Sequence, residues 1–589
     1  MNLLPYPRVL KRRAGVFILP DERPLSAIKV VQTDSEPGHP EGYAIKIDRR
    51  GVQLRFREKA GLRAASATLR QILREYGRKL PYVTIRDWPD FPRRGVMLDI
   101  SRGRVPRLKT LLELAEKLAD LKINELQLYT EHTFAYKKYS RIWQSWGAIT
   151  GEEIKLLDAR CRELGIDLVP NQNSFGHLRY FLADPRLKHL AEIPAPYEDP
   201  SQEFVRRPTT LAPKHPGTLP FLSELYREML PNFSSHFFNV GCDETWDLGR
   251  GQSKKLCERL GKGRVYLDFL KKIHRKAAAH HKKMMFWGDI ILKYPELIRE
   301  LPKNVIALNW GYEASHPFAR EAAQFAKAKI PFYVCPGTST WQTLIGRHDN
   351  AFDNLKTAAQ AGKKYGAIGF LNTDWGDGGH PQPLAVSWPL FAAGAGLAWN
   401  AGHFSQAEIE AVLGRDIYEE PAGKIAAAAC QLGLAHLKLG VTAPNETPLG
   451  TVIAAPKPAD RELFCRNGLK WFAKIPAEKI RATLAEIEKQ RTLLSRAKTT
   501  SSSAKIMALE LDLAARMAAE SCHYMLWQQL VAAGKKAKAK RRARQRIRSL
   551  KKLESDFNAI WPQRNKGTPL HCSPFLNWRI AALGVSPHY

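Results

Sequence analysis

The 589-residue chain has little of what would make it a disulfide-stapled, zinc-binding or membrane-spanning protein. Its eight cysteines, Cys161, Cys242, Cys257, Cys335, Cys430, Cys465, Cys522 and Cys572, include no CxxC pair and none set beside a histidine in a zinc-finger pattern. That spacing argues against a disulfide framework and a structural zinc, and predicts free thiols in a reducing compartment. No run of about 18 apolar residues occurs, so no membrane-spanning helix is expected. The opening MNLLPYPRVLKRRAG lacks an uninterrupted apolar stretch, and its charges follow its apolar patch. It therefore reads as something other than a signal peptide, and a cytoplasmic location is expected. Acidic residues are also scarce: 58 Asp and Glu against 91 Lys and Arg leave a net charge of +33. Such a charge attracts polyanions. It is spread along most of the chain, which favours a solvated basic surface, and no nucleic-acid partner is expected. No internal repeat and no cofactor motif stands out.

What is present is a globular composition, 44% hydrophobic and 25% charged, long enough for two to four domains. Residues 1–91 read as a small α+β unit. Tyr43–Ile47 and Val52–Phe56 alternate around Arg49-Arg50-Gly51 as a hairpin, and Ala60–Tyr76 has helical spacing. Residues 92–403 have a strand–helix rhythm with eight short apolar strands: Gly95–Ile100, Glu125–Tyr129, Asp167–Pro170, Phe237–Gly241, Lys283–Trp287, Val305–Asn309, Pro331–Val334 and Ala367–Leu371. Helices are predicted at Leu108–Leu121, Glu152–Leu164, Val265–His280 and Ala351–Lys364. The pattern predicts an α/β fold, a (β/α)8 TIM barrel whose site lies at the C-terminal ends of its strands. Residues 404–589 read as mainly helical, with long helices at Ala477–Arg496 and Ala504–Leu530 flanking the run Thr499–Ser503. The basic stretch Lys535–Lys552 has no interleaved aromatics and reads as a solvated helix face or a linker.

The predicted strand ends carry the chemistry. They supply Asp99 to Arg102, Tyr129 to His132, Asn171 to His177, Asp243-Glu244, Trp287-Gly288-Asp289, Trp310 with Tyr312, Trp341, and Asp374 to Asp377. Carboxylates, a histidine and several tryptophans at nearly every strand end are more than a core requires. The sharpest feature is Phe237-Phe238-Asn239-Val240-Gly241-Cys242-Asp243-Glu244, an apolar strand that runs through a glycine into two adjacent acids. Neighbouring strand residues point to opposite faces, so both acids reach one mouth only where the backbone turns.

This stretch resembles the strand-four motif of glycoside hydrolase family 20, the β-N-acetylhexosaminidases. Phe91 to Arg102, Ser174-Phe175-Gly176-His177 and Asp374-Trp375-Gly376-Asp377 resemble that family's motifs at strands one, three and eight. Gly42-Tyr43, Gly51-Val52, Ala60-Gly61 and Thr68-Leu69 resemble the small domain before its barrel, and Ile560-Trp561 to Asn565 resembles the tails of some members. The resemblance implies an exo-acting enzyme on glycans or glycoconjugates ending in N-acetylhexosamine, with the substrate's own acetamide as nucleophile. It implies that Asp243 orients the acetamide and Glu244 is the acid and base. It implies that Arg102 and Asp377 bind hydroxyls, that Trp287, Trp310 and Trp375 wall the pocket, that His177 bonds the acids, and that Glu131 and Trp341 support binding. It implies no metal and no cofactor. The sequence departs from the family at Cys242, where many members carry glycine. The acetamide-binding tyrosine after strand seven is replaced by Pro336-Gly337-Thr338, which leaves Tyr312 or another residue to substitute. Two other readings remain open: a non-catalytic glycan- or polyanion-binding protein on the same scaffold, and a metal-dependent hydrolase using His177, Asp243 and Asp289.

Overall fold

The computed structural model describes residues 1–21, 24–34, 38–199, 204–454, 474–499 and 501–584; Cys465 and Thr500 lie outside these. The first unit is a five-stranded sheet of β1 (Val9–Ile18), β2 (Ile28–Gln32), β3 (Tyr43–Asp48), β4 (Gly51–Phe56) and β5 (Lys79–Asp87), ordered β1-β5-β3-β4-β2. The predicted hairpin is there: Asp48 pairs with Gly51 across Arg49-Arg50. Ile45, Ile47 and Leu54 pack under Ala65, Leu69 and Ile72 of the helix Lys59–Tyr76, forming a core of their own. The sequence pattern missed β1, β2 and β5; β1 is mostly exposed and has cationic residues at its centre.

The second unit is a closed barrel of parallel strands: β6 (Arg93–Asp99), β7 (Glu125–Thr130), β8 (Asp167–Gln172), β9 (Phe237–Asn239), β10 (Lys283–Trp287), β11 (Ile306–Trp310), β12 (Phe332–Cys335) and β13 (Gly369–Asp374). All eight predicted strands are present. Several run further than their apolar stretch, because polar tips such as Asn171-Gln172 and Thr373-Asp374 keep the ladder. Side chains alternate. Val96, Leu98, Leu126, Leu128, Phe238 and Val240 face the helical layer, while Met97, Val169, Met285, Ile306, Leu308 and Leu371 fill the barrel. At the N-terminal end Arg93 pairs with Glu125 at 2.6 Å and Asp167 at 2.8 Å. Above it Gln127 Oε1 accepts from Asn171 Nδ2 and Asn239 Nδ2, each at 3.0 Å.

A buried ion pair joins sheet and barrel. Lys122 Nζ donates to Asp87 Oδ2 at 3.0 Å and to the Tyr43 hydroxyl at 2.8 Å, and lies 4.3 Å from the centre of the Trp399 ring. Asp87 also accepts from the Tyr43 hydroxyl and Trp399 Nε1, and from the main-chain N–H groups of Arg8 and Trp88.

The C-terminal region is helical, with long helices Ala477–Ser495, Ser502–Ala532 and Lys536–Arg564. The basic stretch is the first part of the helix Lys536–Arg564, not a linker. Ala539, Ala543, Leu550 and Leu553 are buried on one side, and most of the Lys and Arg residues lie outside. This region returns to the barrel mouth. Asn565-Lys566 pairs with Val105-Pro106, and Cys572 Sγ donates to the Gly103 carbonyl at 2.8 Å, next to Arg102. Among the described residues no helix is long and apolar enough to cross a membrane.

The joint makes a stability prediction. Asp87→Ala strands a buried ammonium and should cost about 3–5 kcal/mol. Lys122→Met should cost less, because Asp87 keeps neutral donors. Urea unfolding of both variants reads the difference; equal losses would contradict it.

Candidate active site

Strand alternation alone would point Asp243 and Glu244 apart. The turn after β9 removes that constraint: Gly241, Cys242 and Glu244 have φ of 66°, 71° and 45°. The left-handed region costs a non-glycine residue about 1–2 kcal/mol, which is why glycine is common where Cys242 stands. The neighbours hold the turn. Asn239 Oδ1 accepts from Gly241 N–H at 3.0 Å, Tyr266 donates its hydroxyl to the Cys242 carbonyl at 2.9 Å, and Asp289 Oδ2 accepts from Glu244 N–H at 3.2 Å. Two glycines are required by close approach. A Cβ on Gly241 would lie 2.0 Å from Asn173 Oδ1, and one on Gly176 would lie 2.4 Å from the Asp243 carbonyl oxygen.

His177 faces the acid pair. Its Nε2 is 3.2 Å from Asp243 Oδ2 and 3.4 Å from Glu244 Oε2. Burial opposes a charge on this imidazole, but the Asp243 and Glu244 carboxylates outweigh burial and hold it protonated well above the usual histidine range. These three residues also form a donor cluster, with one ligand atom each within 4.8 Å of the others. In the metal-free site a proton holds the imidazole nitrogen that a metal would have to take.

Arg102 holds the opposite wall. It contacts Asp377 at 3.0 Å, Asp99 at 3.1 Å and Glu131 at 3.4 Å, and its guanidinium lies 4.9 Å from the Trp375 ring centre and 5.1 Å from that of Tyr129. Burial works against its charge, but Tyr129 and the three carboxyls hold its pKa well above the ordinary value. Burial pushes the carboxyls of Asp99, Glu131 and Asp377 up, against the pull of Arg102.

Aromatic rings line the far side. Trp375 lies 5.9 Å from Trp287 and 6.3 Å from Tyr312, with its Nε1 donating to the Tyr312 hydroxyl at 2.7 Å. Trp310 stacks on Tyr312 at 5.1 Å. Trp341, 1% exposed, stands edge-on behind Tyr312.

Every predicted site residue thus lies in one of two touching groups: His177 with Asp243 and Glu244, and Arg102, Glu131 and Asp377 with the aromatic wall. The charges of Glu244 and His177 bear on Asp377 across the mouth. Sequence reasoning left out Tyr266, which lies on the buried face of the helix Lys262–Ala279 and looks like any core aromatic. It placed Asp289 on the ring without a role in the acid pair's geometry; its position two residues past Trp287, on the inward parity of β10, was the available signal.

Comparison with known proteins agrees with this architecture. Residues 91–341 match the model for the catalytic domain of glycosyl hydrolase family 20, and residues 8–88 match that family's domain 2; together they take in more than half of the chain. A beta-hexosaminidase of Vibrio furnissii is 29% identical over 284 residues, 42% of this chain and 45% of that protein. Hexosaminidase D of Bos taurus is 24% identical, over 36% of this chain and 58% of its own length. The chain thus spans about half the length of these curated relatives. Among solved structures, the Flavobacterium johnsoniae chitobiase superposes with a TM-score of 0.57 at 16% identity, covering 92% of this chain and 96% of that one. A Streptomyces plicatus beta-hexosaminidase mutant gives 0.54 at 17% identity, covering 72% and 95%. These likenesses establish the shared fold.

The acid pair sets the charge of His177, which NMR can read. At neutral pH the imidazole should be doubly protonated. In the double variant Asp243→Asn, Glu244→Gln, burial opposes only the more distant carboxyls of Glu131 and Asp377, and the ring should be neutral. A neutral ring in the unmodified protein would contradict this.

Proposed function

The chain belongs to glycosyl hydrolase family 20, and on that footing we propose that it is an exo-acting β-N-acetylhexosaminidase. It removes terminal non-reducing N-acetylglucosamine or N-acetylgalactosamine from oligosaccharides or glycoconjugates, retaining the anomeric configuration through an oxazolinium intermediate. The observation that carries this reading is the turn that brings both Asp243 and Glu244 into one mouth beside His177. The catalytic work falls to residues 92–403, between the small unit of residues 1–91 and the helical region of residues 404–589. A cytoplasmic setting belongs to the same reading, supported by seven described cysteines that are all free thiols.

Most retaining glycosidases use one carboxylate as nucleophile; substrate-assisted hydrolysis is the exception. Here the acetamide oxygen of the substrate attacks the anomeric carbon as the bond to the aglycone breaks. Glu244 takes a proton from the His177 imidazolium, 3.4 Å away, and passes it to the leaving oxygen. Asp243, 5% exposed, with an oxygen free of protein partners, accepts from the acetamide N–H and opposes the positive charge that develops there. Glu244 then takes a proton from water, which attacks the anomeric carbon and opens the oxazolinium ring. The His177 cation balances the pair, so that two carboxyls share one site.

Arg102 and Asp377 bind adjacent sugar hydroxyls. A planar guanidinium forks onto such a pair, and Asp99 and Glu131 fix its orientation. Trp287, Trp310 and Trp375 offer apolar faces to the ring and the acetamide methyl. Tyr312, braced by Trp341 and by the Trp375 indole, reaches the acetamide oxygen from strand six, where relatives use a tyrosine from strand seven.

The enzyme should release nitrophenol from the β-N-acetylglucosaminide and not from the plain β-glucoside; equal rates on both would overturn the reading. Glu244→Gln should lower kcat on natural linkages by about 10²–10⁴. Excess chelator should leave the rate intact; its loss would favour a metal-dependent hydrolase.

A further inference from the structure

Asp289 touches the main chain of Glu244 and has no place in the reaction so far. It stands two residues beyond β10, and its Oδ2 accepts from the main-chain N–H of Glu244 at 3.2 Å. Its other oxygen, Oδ1, is buried and has no protein partner. Glu244 is a left-handed residue with φ of 45°, a conformation that persists only where the surroundings fix it.

We propose that Asp289 is a positioning residue that works as a neutral carboxylic acid, fixing the main chain of Glu244 while keeping a third negative charge away from the Asp243–Glu244 pair. The groups that face it make the neutral form the stable one. Asp243 and Glu244 confront it from the end of β9, with Cys242 beside them and Tyr266 from the following helix; Lys293, beyond its own strand, is a cation that acts the other way. Burial, followed by the two carboxylates, pushes its pKa up to about 8. A carboxyl that ionised at neutral pH would crowd three anions around one imidazolium and repel the pair it supports. As a neutral acid it still accepts the Glu244 N–H. On losing its proton above pH 8 it changes the field at Glu244 and with it the rate.

The role rests on the hexosaminidase reading only where turnover is the readout, so two measurements test it. The first is kcat and KM on nitrophenyl β-N-acetylglucosaminide against pH. At pH 6, Asp289→Leu should lose more than tenfold in kcat with little change in KM, and Asp289→Asn, neutral and still an acceptor, should recover most of that loss. The unmodified enzyme should show a step in kcat at an apparent pKa of about 8 that Asp289→Asn lacks. An Asn variant as slow as the Leu variant, or the same alkaline step in both, would overturn the proposal. The second is a carboxyl-carbon NMR titration of the full chain, with the Asp289 signal assigned by its loss in Asp289→Asn. A midpoint near 8 that falls in Asp243→Asn supports the neutral acid; an ordinary carboxylate midpoint overturns it. Should the unmodified protein prove inert toward the nitrophenyl substrate, the hexosaminidase reading falls, and the titration still decides the state of Asp289.

Discussion

Two acids adjacent in the chain must both reach one cavity, although a β-strand directs neighbours to opposite faces. The mouth of this barrel is organised around that constraint. The backbone meets it by leaving the strand after Asn239 and passing through left-handed residues at Gly241, Cys242 and Glu244. Such a turn is not stable alone. Asn239 ties it to its own strand, Tyr266 to the helix behind, Asp289 to strand five, and Gly176 lets strand three close on it without a side chain. The strain is local and its supports come from three separate strands and a helix, which makes a barrel a suitable carrier for it.

Charge is the second condition. The mouth collects Asp99, Glu131, Asp243, Glu244, Asp289 and Asp377, and two cations answer them. His177 sits within 3.4 Å of the acid pair, and Arg102 within 3.4 Å of Asp99, Glu131 and Asp377. Each cation is held charged by its own carboxyls against burial. The division matches the two halves of the proposed reaction, with bond breaking near His177 and sugar binding near Arg102. The C-terminal region serves the second half, since Cys572 and Asn565-Lys566 brace the loop that carries Arg102.

The barrel was legible because its buried parallel strands read as short apolar runs, and the site because the polar residues at their tips stand out against those runs. Strand β1 was not legible: its exposed centre, Lys11 to Arg13, has no apolar alternation. The basic stretch Lys535–Lys552 left helix and linker open, since its apolar side is built mostly from small residues. Tyr266 shares the spacing of a core aromatic, and only the folded chain brings its hydroxyl to Cys242. The protonation of His177 and Asp289 depends on charges brought together from different strands, which spacing along one strand does not express. The brace at Val105-Pro106 joins residues about 460 positions apart, beyond the reach of any local pattern.

In the proposed reaction the nucleophile belongs to the substrate, and Asp243 and Glu244 serve it. The most direct test is the rate on nitrophenyl N-acylglucosaminides whose acetyl methyl carries none, one, two or three fluorines. Fluorine weakens the carbonyl oxygen as a nucleophile and hardly alters the leaving group. With the acetamide as nucleophile, kcat/KM should fall steeply along the series. A rate indifferent to fluorination would mean that a protein group attacks the anomeric carbon, and would contradict that reaction.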